Sequence, residues 1–552
     1  MKSVLWMLLL ILPFFADAQS KKKKLKQQQE QERLFNKTLV DNLQKHVYIL
    51  ASDSLEGRRA GTKGEALAAD YLVKTYEGTN VLPAGKQGYL QYFTINEGRK
   101  LTANSYFKVN DRELSYPEHY YPLSFSGKQI VNGSVARAMK ENGQPWFVDV
   151  KDWLEENKNN PHFDIENAIQ KEVTKVVKKG AKALFLYNSG KTPDNIQFQK
   201  NDTTTAVSIP VIYITAKGIQ AYFKDYAATQ QVSVFTEIVE QQRTSCNVVG
   251  FIDNKAANTI ILGAHFDHLG YGEDKNALDT AHQIHNGADD NASGTAALIE
   301  LAKWLSNASL KNNNYLIIHF GAEELGLLGS KYWLNNPTAN ITANYMINMD
   351  MVGRYDTTHK LPVGGFGTAP TWSTILQSTK TPLIFKTDST GSGPSDHASF
   401  YRAGIPVLFF FTGSHADYHK ATDDSEKINY DGQKEIVKLI YQIIEKADTL
   451  GKLSFLKTNE PTMGRSTRFS VSLGVIPDYG YSGKGVKIDG VSPGKLAETI
   501  GLQAGDVLLQ LGDYKFADVS NYMEALSKFK KGDKTVLTIS RKGENKSFDI
   551  VF

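Results

Sequence analysis

The 552-residue sequence contains a single cysteine, Cys246, alongside 12 histidines. One thiol cannot form an intramolecular disulfide, and it cannot supply the several thiolates of a cysteine-rich zinc site. Any metal ion bound by this chain must therefore be held by histidine and carboxylate side chains.

The sequence also lacks a large excess of charge and a long apolar run. Its 63 Lys and Arg residues against 59 Asp and Glu residues leave a formal net charge of +4. This balance is too mild to indicate a nucleic-acid partner. No uninterrupted apolar stretch beyond the N-terminus approaches the about 20 residues that span a bilayer. We therefore expect no integral membrane segment in the mature chain.

The first 18 residues, MKSVLWMLLLILPFFADA, predict an export signal. They combine a basic start at Lys2, an apolar run too short to span a bilayer, and a small-x-small end at residues 16–18. We expect cleavage before Gln19 and a periplasmic or secreted mature protein.

The length indicates roughly three or four domains at about 150 residues each. From Thr244 the chain alternates apolar strands with amphipathic helices, which predicts an α/β fold whose mostly parallel sheet is covered by helices on both faces. We divide the chain into the signal (1–18), a polar arm with the first part of the α/β domain (19–100), a β-rich insert (101–243), the rest of the α/β domain (244–452), a linker (453–466) and a small β-rich domain (467–552).

Acidic and histidine side chains follow successive predicted strands, at the sheet edge where α/β proteins bind ligands. The set comprises His265 and Asp267, Asp289 and Asp290, Glu323 and Glu324, Asp350, and Tyr418 and His419. Each has an ordinary explanation alone, such as a helix N-cap or a solvated turn, but their convergence favours a metal site. Imidazoles and carboxylates suit zinc, with manganese or cobalt as substitutes. Two ions about 3.5–4 Å apart would use the whole set and generate a nucleophile near neutral pH.

These residues, in this order, resemble peptidase family M28, a family of co-catalytic zinc aminopeptidases. The resemblance rests on HFD (265–267), GADDNASG (287–294), the Glu323-Glu324 pair, NMDMVG (348–353), SDH (395–397) and Tyr418-His419, with LEGRRAGTKGEALAADYL (55–72) upstream. It covers roughly residues 31–100 and 244–452. A polar insertion, YGEDKNALDTAHQIH (271–285), departs from the family pattern, and we expect it to form a loop near the site. The resemblance implies a zinc exopeptidase fold of the phosphorylase/hydrolase-like type, and removal of N-terminal residues from peptides or proteins.

The resemblance also implies a set of metal ligands. His265 and Asp350 would bind one zinc ion, Glu324 and His419 would bind a second, and Asp289 would bridge both. It further implies a non-proline cis peptide between Asp289 and the residue that follows it.

Three further roles follow from the same resemblance. Glu323 would be the general base, taking a proton from the attacking water and passing it to the departing amine. Asp267 would orient His265. Tyr418 would donate a hydrogen bond to the tetrahedral oxyanion.

The two flanking regions resemble known modules. Residues 101–243 resemble a protease-associated (PA) domain through their placement and through GAKALFLYNSG (180–190) and SIPVIYIT (208–215); an unrelated insert is the alternative. The C-terminal region resembles a PDZ domain through SLGVIPDY (472–479) and GVKIDGVSPGKLAETIGLQAGDVLLQLGD (485–513). Such a domain would bind a C-terminal peptide at a sheet edge, or only pack against the rest of the chain.

Other functions stay open on the same fold. A glutaminyl cyclase would use one metal and would not need the whole ligand set. A carboxypeptidase would need a cation for the substrate carboxylate, for which Arg354 and Arg402 are candidates. A catalytically inactive PA/PDZ protein that binds peptides is the third alternative. His282, His285 and His397 are candidates for the pocket wall, although a structural or surface role is favoured for each.

Overall fold

The computed structural model describes residues 5–158, 165–194, 196–200, 204–273, 276–279, 282–358, 360–458, 471–477, 485–491, 495–516 and 519–552. Within these ranges, no helix combines the length and the apolar character needed to cross a bilayer. The first residues of the predicted export signal, 1–4, and most of the predicted linker, 459–466, lie outside the described residues.

Helices and strands are numbered separately in chain order. The helices are α1 (Leu5–Leu50), α2 (Lys63–Tyr76), α3 (Lys151–Glu156), α4 (Ile165–Lys178), α5 (Ala216–Tyr222), α6 (Gly294–Asn307), α7 (Leu328–Asn335), α8 (Thr371–Gln377), α9 (His397–Arg402), α10 (Tyr430–Ala447), α11 (Leu496–Thr499) and α12 (Val519–Leu526). The strands are β1 (Leu82–Pro83), β2 (Leu90–Leu101), β3 (Tyr106–Val109), β4 (Arg112–Glu113), β5 (Tyr120–Pro122), β6 (Ile130–Val135), β7 (Pro145–Asp149), β8 (Ala183–Tyr187), β9 (Val211–Ile214), β10 (Gln230–Phe235), β11 (Ile238–Ile252), β12 (Asn258–His265), β13 (Asn313–Phe320), β14 (Ala343–Met349), β15 (Leu361–Gly364), β16 (Phe385–Thr387), β17 (Val407–Phe410), β18 (Val475–Pro477), β19 (Val486–Val491), β20 (Val507–Leu511), β21 (Tyr514–Lys515), β22 (Lys534–Arg541) and β23 (Glu544–Val551).

The chain divides into two compact units, one formed by residues 1–93 with 244–552 and the other by residues 94–243. The first unit contains a large sheet in the order β1-β11-β13-β12-β14-β17-β15-β16. Its four central strands, β13, β12, β14 and β17, run parallel to one another. Antiparallel pairs flank them at β11–β13 and β15–β17. This arrangement confirms the predicted α/β fold with a mostly parallel sheet.

Both faces of the central strands are buried, which explains their continuous apolar sequences. In β12, Ile260 and Leu262 belong to one core cluster, and the alternate residue Ile261 belongs to another. The first cluster includes apolar residues of α1, α2, α6, α8 and α10. The second includes Trp333 of α7 and Phe400 of α9. The sheet is therefore sandwiched between two helical layers, as the alternating pattern predicts.

The parallel direction of β12, β13 and β14 brings their carboxyl ends to one edge of the sheet. His265 is the last residue of β12, Asp350 directly follows β14, and the Glu323-Glu324 pair comes shortly after β13. Chain segments far apart in sequence therefore deliver their polar residues to one place.

The unit of residues 94–243 is β-rich. One sheet has the order β4-β3-β10-β6, and the other has the order β5-β9-β8-β7, in which β7, β8 and β9 run parallel. Helix α4 contributes Ile169, Val173 and Val176 to a core shared with Leu184 and Leu186 of β8. The assignment of this unit as a PA domain stays a prediction.

The C-terminal region forms a sheet in the order β18-β19-β20-β22-β23, in which neighbouring strands pair antiparallel. Buried Tyr522 of helix α12 packs in a core with Leu508, Leu537 and Ile539. These residues build a small core of their own, and the division of residues 467–552 from the rest as a separate domain stays a prediction.

Candidate metal centre

Imidazole and carboxylate groups converge in two clusters at the carboxyl edge of the large sheet. In the first, Nε2 of His265 lies 3.2 Å from Oδ1 of Asp350 and 3.3 Å from Oδ1 of Asp290. In the second, Nε2 of His419 lies 3.3 Å from Oε2 of Glu324 and 3.2 Å from Oδ2 of Asp290. Asp290 therefore presents one carboxylate oxygen to each cluster.

Asp289, the predicted bridging residue, lies outside both clusters, so that prediction is wrong by one residue. Its Oδ1 accepts a hydrogen bond of 2.7 Å from the amide of Gly353, and its Oδ2 lies 3.2 Å from Nε2 of His415. These contacts occupy both oxygens within the supporting structure. The cis peptide is displaced in the same way, since it joins Asp290 to Asn291 rather than Asp289 to Asp290.

Asp267 holds the turn that carries the two glutamates. Its carboxylate accepts hydrogen bonds from the backbone amides of Glu323, at 3.0 Å, and Glu324, at 3.3 Å. Its Oδ1 lies 3.7 Å from Nδ1 of His265, whereas its own main-chain oxygen lies 3.2 Å from that nitrogen. Asp267 thus lies beside His265 as predicted, and the acceptor within hydrogen-bonding distance is its carbonyl group.

The adjacent glutamates differ in their ionisation. Burial, reinforced by the nearby Asp350 and Asp396, raises the pKa of Glu323 well above its ordinary value. Burial acts in the same direction on Glu324, but the attraction of His419 and the hydrogen bonds of His268 and His419 together outweigh it and lower the pKa of Glu324 to about 2. A buried carboxyl that keeps a proton therefore lies next to one that is ionised, the separation typical of paired acid–base groups.

The donor set fits a metal ion. Burial alone would lower the pKa of His265 and the pKa of His419. Nearby carboxylates, chiefly Asp350 for His265 and Glu324 for His419, instead raise each pKa well above its ordinary value. Positive charge at the imidazole nitrogens thus stabilises several buried carboxylates, and a bound cation would provide that charge instead. Imidazole nitrogens with carboxylate oxygens are donors that zinc accepts readily.

His268 is a site residue that the sequence interpretation missed. Its Nδ1 lies 2.8 Å from Oε1 of Glu324 and 3.9 Å from Oδ2 of Asp290. These three residues form a group whose potential ligand atoms all lie within 4.8 Å of one another. The available signal was the second histidine of HFDH, which follows the predicted ligand by three positions.

Two further buried groups hold the loops around the clusters. Oδ2 of Asp423 accepts hydrogen bonds from the backbone amides of Asp289, at 2.8 Å, and Asp290, at 3.0 Å. Arg58 is fully buried, and its guanidinium donates to main-chain oxygens of Phe266, Asn286 and Gly287. Hydrogen bonds from Arg58 in the LEGRRAG segment therefore link the chain directly after β12 to the chain shortly before Asp290.

The clusters open into a cleft with an aromatic wall. Its atom-free space is about 450 Å³, including the part open to solvent. Beside the polar groups, its lining consists of Met351, Pro394, Phe409, Phe411, Ser414 and Tyr418. The ring of Tyr418 stacks on His419 with 3.8 Å between centroids. Burial raises the pKa of Tyr418 well above its ordinary value, so its hydroxyl group retains a proton to donate.

The arginines considered for a carboxypeptidase lie away from this lining. Arg354 forms an ion pair with Asp417 and donates to a main-chain oxygen. Arg402 is exposed at the end of α9. Neither belongs to the residues that line the cleft.

The remaining histidine candidates have structural or surface positions, as favoured from the sequence. His282 is exposed, and its ring lies 5.6 Å from that of Tyr271. His285 is buried with Nε2 3.0 Å from Oδ1 of Asp279. His397 stacks at 4.2 Å on an aromatic ring of the cleft wall, so it supports the wall from behind.

Comparisons with known proteins match two regions of the chain to known families. Residues 247–444 match the model of peptidase family M28, and residues 461–551 match that of the PDZ domain. The chain is 26% identical over 287 residues to the aminopeptidase YwaD of Bacillus subtilis, covering 48% of this chain and 58% of that protein. It is 34% identical over 195 residues to leupeptin-inactivating enzyme 1 of Streptomyces exfoliatus, covering 33% and 39%. The solved structure of BSAP, a zinc aminopeptidase from Bacillus subtilis, is 20% identical with a TM-score of 0.41, covering 75% of this chain and 95% of that chain.

The chain spans about half the length of the curated relatives that it matches. The matched M28 region contains both clusters, from His265 to His419, and it excludes the unit of residues 94–243.

Proposed function

We propose that this chain, which contains a peptidase family M28 domain and a PDZ domain, is an exported two-zinc aminopeptidase. The observation that carries the proposal is the position of Asp290, whose two oxygens face different imidazole–carboxylate clusters. A single carboxylate shared in this way suits two metal ions side by side. A one-metal glutaminyl cyclase would leave one of the two clusters without a function.

The proposed ligands follow from the two clusters. His265 and Asp350 would hold one zinc ion, Glu324 and His419 would hold the other, and Asp290 would contact both. When bound, the two ions would polarise the scissile carbonyl group and lower the pKa of a water molecule.

Glu323 is the proposed general base. It lines the cleft beside the clusters, and its pKa is raised by burial, so its carboxyl group can both accept and release a proton. It would take a proton from the attacking water and deliver it to the departing amine. Tyr418, which lines the same cleft and keeps its hydroxyl proton, would donate to the oxyanion.

The side chains that line the described cleft favour an aminopeptidase over a carboxypeptidase. The lining includes the carboxyl groups of Asp290, Glu323, Glu324 and Asp350, and among the described residues it includes no lysine or arginine. A carboxypeptidase would use such a cation for the substrate carboxylate, and the carboxylates that hold the zinc ions would themselves be neutralised by them. The aminopeptidases among the relatives support the same choice.

The proposal also covers export of the protein, the binding of two zinc ions, and the functions of the two flanking modules. The first 18 residues have the composition of an export signal. Residues 101–243 would act as a PA domain. The PDZ domain would bind a C-terminal peptide at its sheet edge.

A substrate panel tests the proposed activity. Purified protein should hydrolyse free aminoacyl arylamides and the first bond of dipeptides, and it should leave the N-acetylated forms intact. Cleavage of N-acetylated dipeptides would indicate a carboxypeptidase instead. Cyclisation of N-terminal glutamine without hydrolysis would indicate a cyclase.

A further inference from the structure

The polar loop that follows β12 makes direct contact with one of the two clusters. This loop, residues 268–287, is described over 268–273, 276–279 and 282–287. Two of its side chains reach Glu324: Nδ1 of His268 lies 2.8 Å from Oε1, and Nδ2 of Asn276 donates to the main-chain oxygen at 2.7 Å. With Oε1 occupied by His268, Glu324 presents its other oxygen, Oε2, to His419.

The same loop fixes the orientation of His419. Nδ1 of His419 lies 2.9 Å from the main-chain oxygen of Asn276, and a carbonyl group can only accept. Nδ1 therefore carries the hydrogen, which leaves Nε2 as the atom facing Asp290. The amide of Leu278 also donates to the main-chain oxygen of His419 at 3.0 Å.

Described residues of the loop are bonded to one another and to neighbouring parts of the chain. Oδ2 of Asp279 accepts a hydrogen bond of 2.9 Å from the amide of Ala421, and its Oδ1 lies 3.0 Å from Nε2 of the buried His285. The backbone of Gly270 bonds to Gly57 at 3.0 Å and accepts from the amide of His285 at 2.8 Å.

The other cluster is held differently. His265 ends strand β12, and Asp350 follows β14 with its amide bonded to Phe410 at 3.1 Å. In the described part of the loop, no hydrogen bond reaches His265 or Asp350. Support from the loop is thus confined to the Glu324–His419 pair.

We propose that the loop is the positioning element of the Glu324–His419 half-site, and that His268 and Asn276 are its positioning residues. This inference rests on the proposed two-zinc function. It follows that the two metal positions are supported unequally, and that damage to the loop weakens one position and spares the other. Partners of metal ligands typically change metal affinity by about 10–100-fold when mutated.

The test compares zinc binding by wild type, His268→Ala, Asn276→Ala and the matched control His282→Ala. His282 lies in the same loop, is exposed and packs against Tyr271. Zinc per chain is measured by mass spectrometry after equilibration in chelator buffers of graded free zinc. Circular dichroism in the same buffers reports folding. We expect His268→Ala to bind one zinc with wild-type affinity and the second about 10–100-fold more weakly, with a smaller shift for Asn276→Ala and none for His282→Ala.

The possible outcomes separate this inference from the proposed function. The inference would be overturned if both variants bound two zinc ions with unchanged affinities. It would also be overturned if affinity fell equally at both metal positions. Wild-type protein that binds no zinc would overturn the proposed function instead. If His268→Ala does not fold, Asn276→Ala decides the question by the same criterion.

Discussion

Two turns at the carboxyl edge of the sheet each carry a pair of adjacent acids, and they use their pairs differently. In the turn GADDN, Asp290 faces both clusters, while Asp289 is bonded to the supporting structure. In the turn AEEL, both glutamates line the cleft. One turn thus places one acid at the site and the other in the supporting structure, and the other turn carries the proposed ligand beside the proposed base. The two acids of each pair are therefore not interchangeable. Replacing each acid should have its own effect on activity, zinc content or stability.

The largest effect is expected for Glu323→Gln. The amide cannot carry the proton, so aminoacyl arylamide hydrolysis should fall by about 10²–10⁴-fold. Zinc content should stay at the wild-type value because Glu323 is not a proposed ligand. The rate of arylamide hydrolysis and the zinc content are measured on the same preparation. Full activity in this variant would remove Glu323 from the mechanism.

Glu324→Gln should behave differently from its neighbour. Losing an ionised carboxylate whose pKa is lowered to about 2 removes a proposed ligand and leaves Nε2 of His419 facing Asp290 without Glu324. We expect zinc to fall towards one ion per chain, with activity falling alongside. Partial rescue by raised zinc concentration would distinguish this variant from Glu323→Gln. If zinc content is unaltered, Glu324 is not a ligand.

Asp289→Ala should affect stability more than chemistry. It leaves the buried amide of Gly353 without its acceptor, a loss of about 1–3 kcal/mol in the free energy of unfolding. The hydroxyl of Ser293 keeps the main-chain oxygen of residue 289 as an acceptor. Chemical denaturation with and without zinc measures this loss. A variant of wild-type stability that has lost zinc would restore the bridging role to Asp289.

A different kind of effect is expected in the pH dependence of the metal-free protein. Burial raises the pKa of Asp396, behind the AEEL turn, to about 7. Since the folded state then holds a proton that the unfolded state releases above its own pKa of about 4, stability should fall as pH rises from about 4 to 7. Asp396→Asn should flatten this slope in denaturation midpoints of chelated protein. An identical slope in wild type and variant would exclude Asp396 as its source.

Most of the fold is predictable because its signals are local and repeated. Strands such as TIILGAHF are apolar on both faces, and this alone indicates a buried parallel sheet. The ends of those strands then indicate the site, since parallel strands bring their carboxyl ends together. His265, Glu323, Glu324, Asp350 and His419 are identifiable on that basis.

The remaining details depend on contacts that no local pattern specifies. Which aspartate of GADDN faces the clusters is decided by bonds to Gly353 and Asp423, which lie distant in sequence. His268 has the sequence context of an ordinary loop histidine, and only the fold brings it to Glu324. The sequence around Arg58 indicates only a glycine-rich turn. The burial of its side chain against three loop carbonyl groups depends on the tertiary structure.

The most direct measurement is zinc content in wild type, Asp290→Asn and Asp289→Ala, equilibrated at the same free zinc concentration. Two ions per chain are expected in wild type and in Asp289→Ala, with markedly fewer in Asp290→Asn because both half-sites share that carboxylate. Wild-type protein without zinc, or an Asp290→Asn variant that keeps two ions while Asp289→Ala loses them, would contradict the proposed centre.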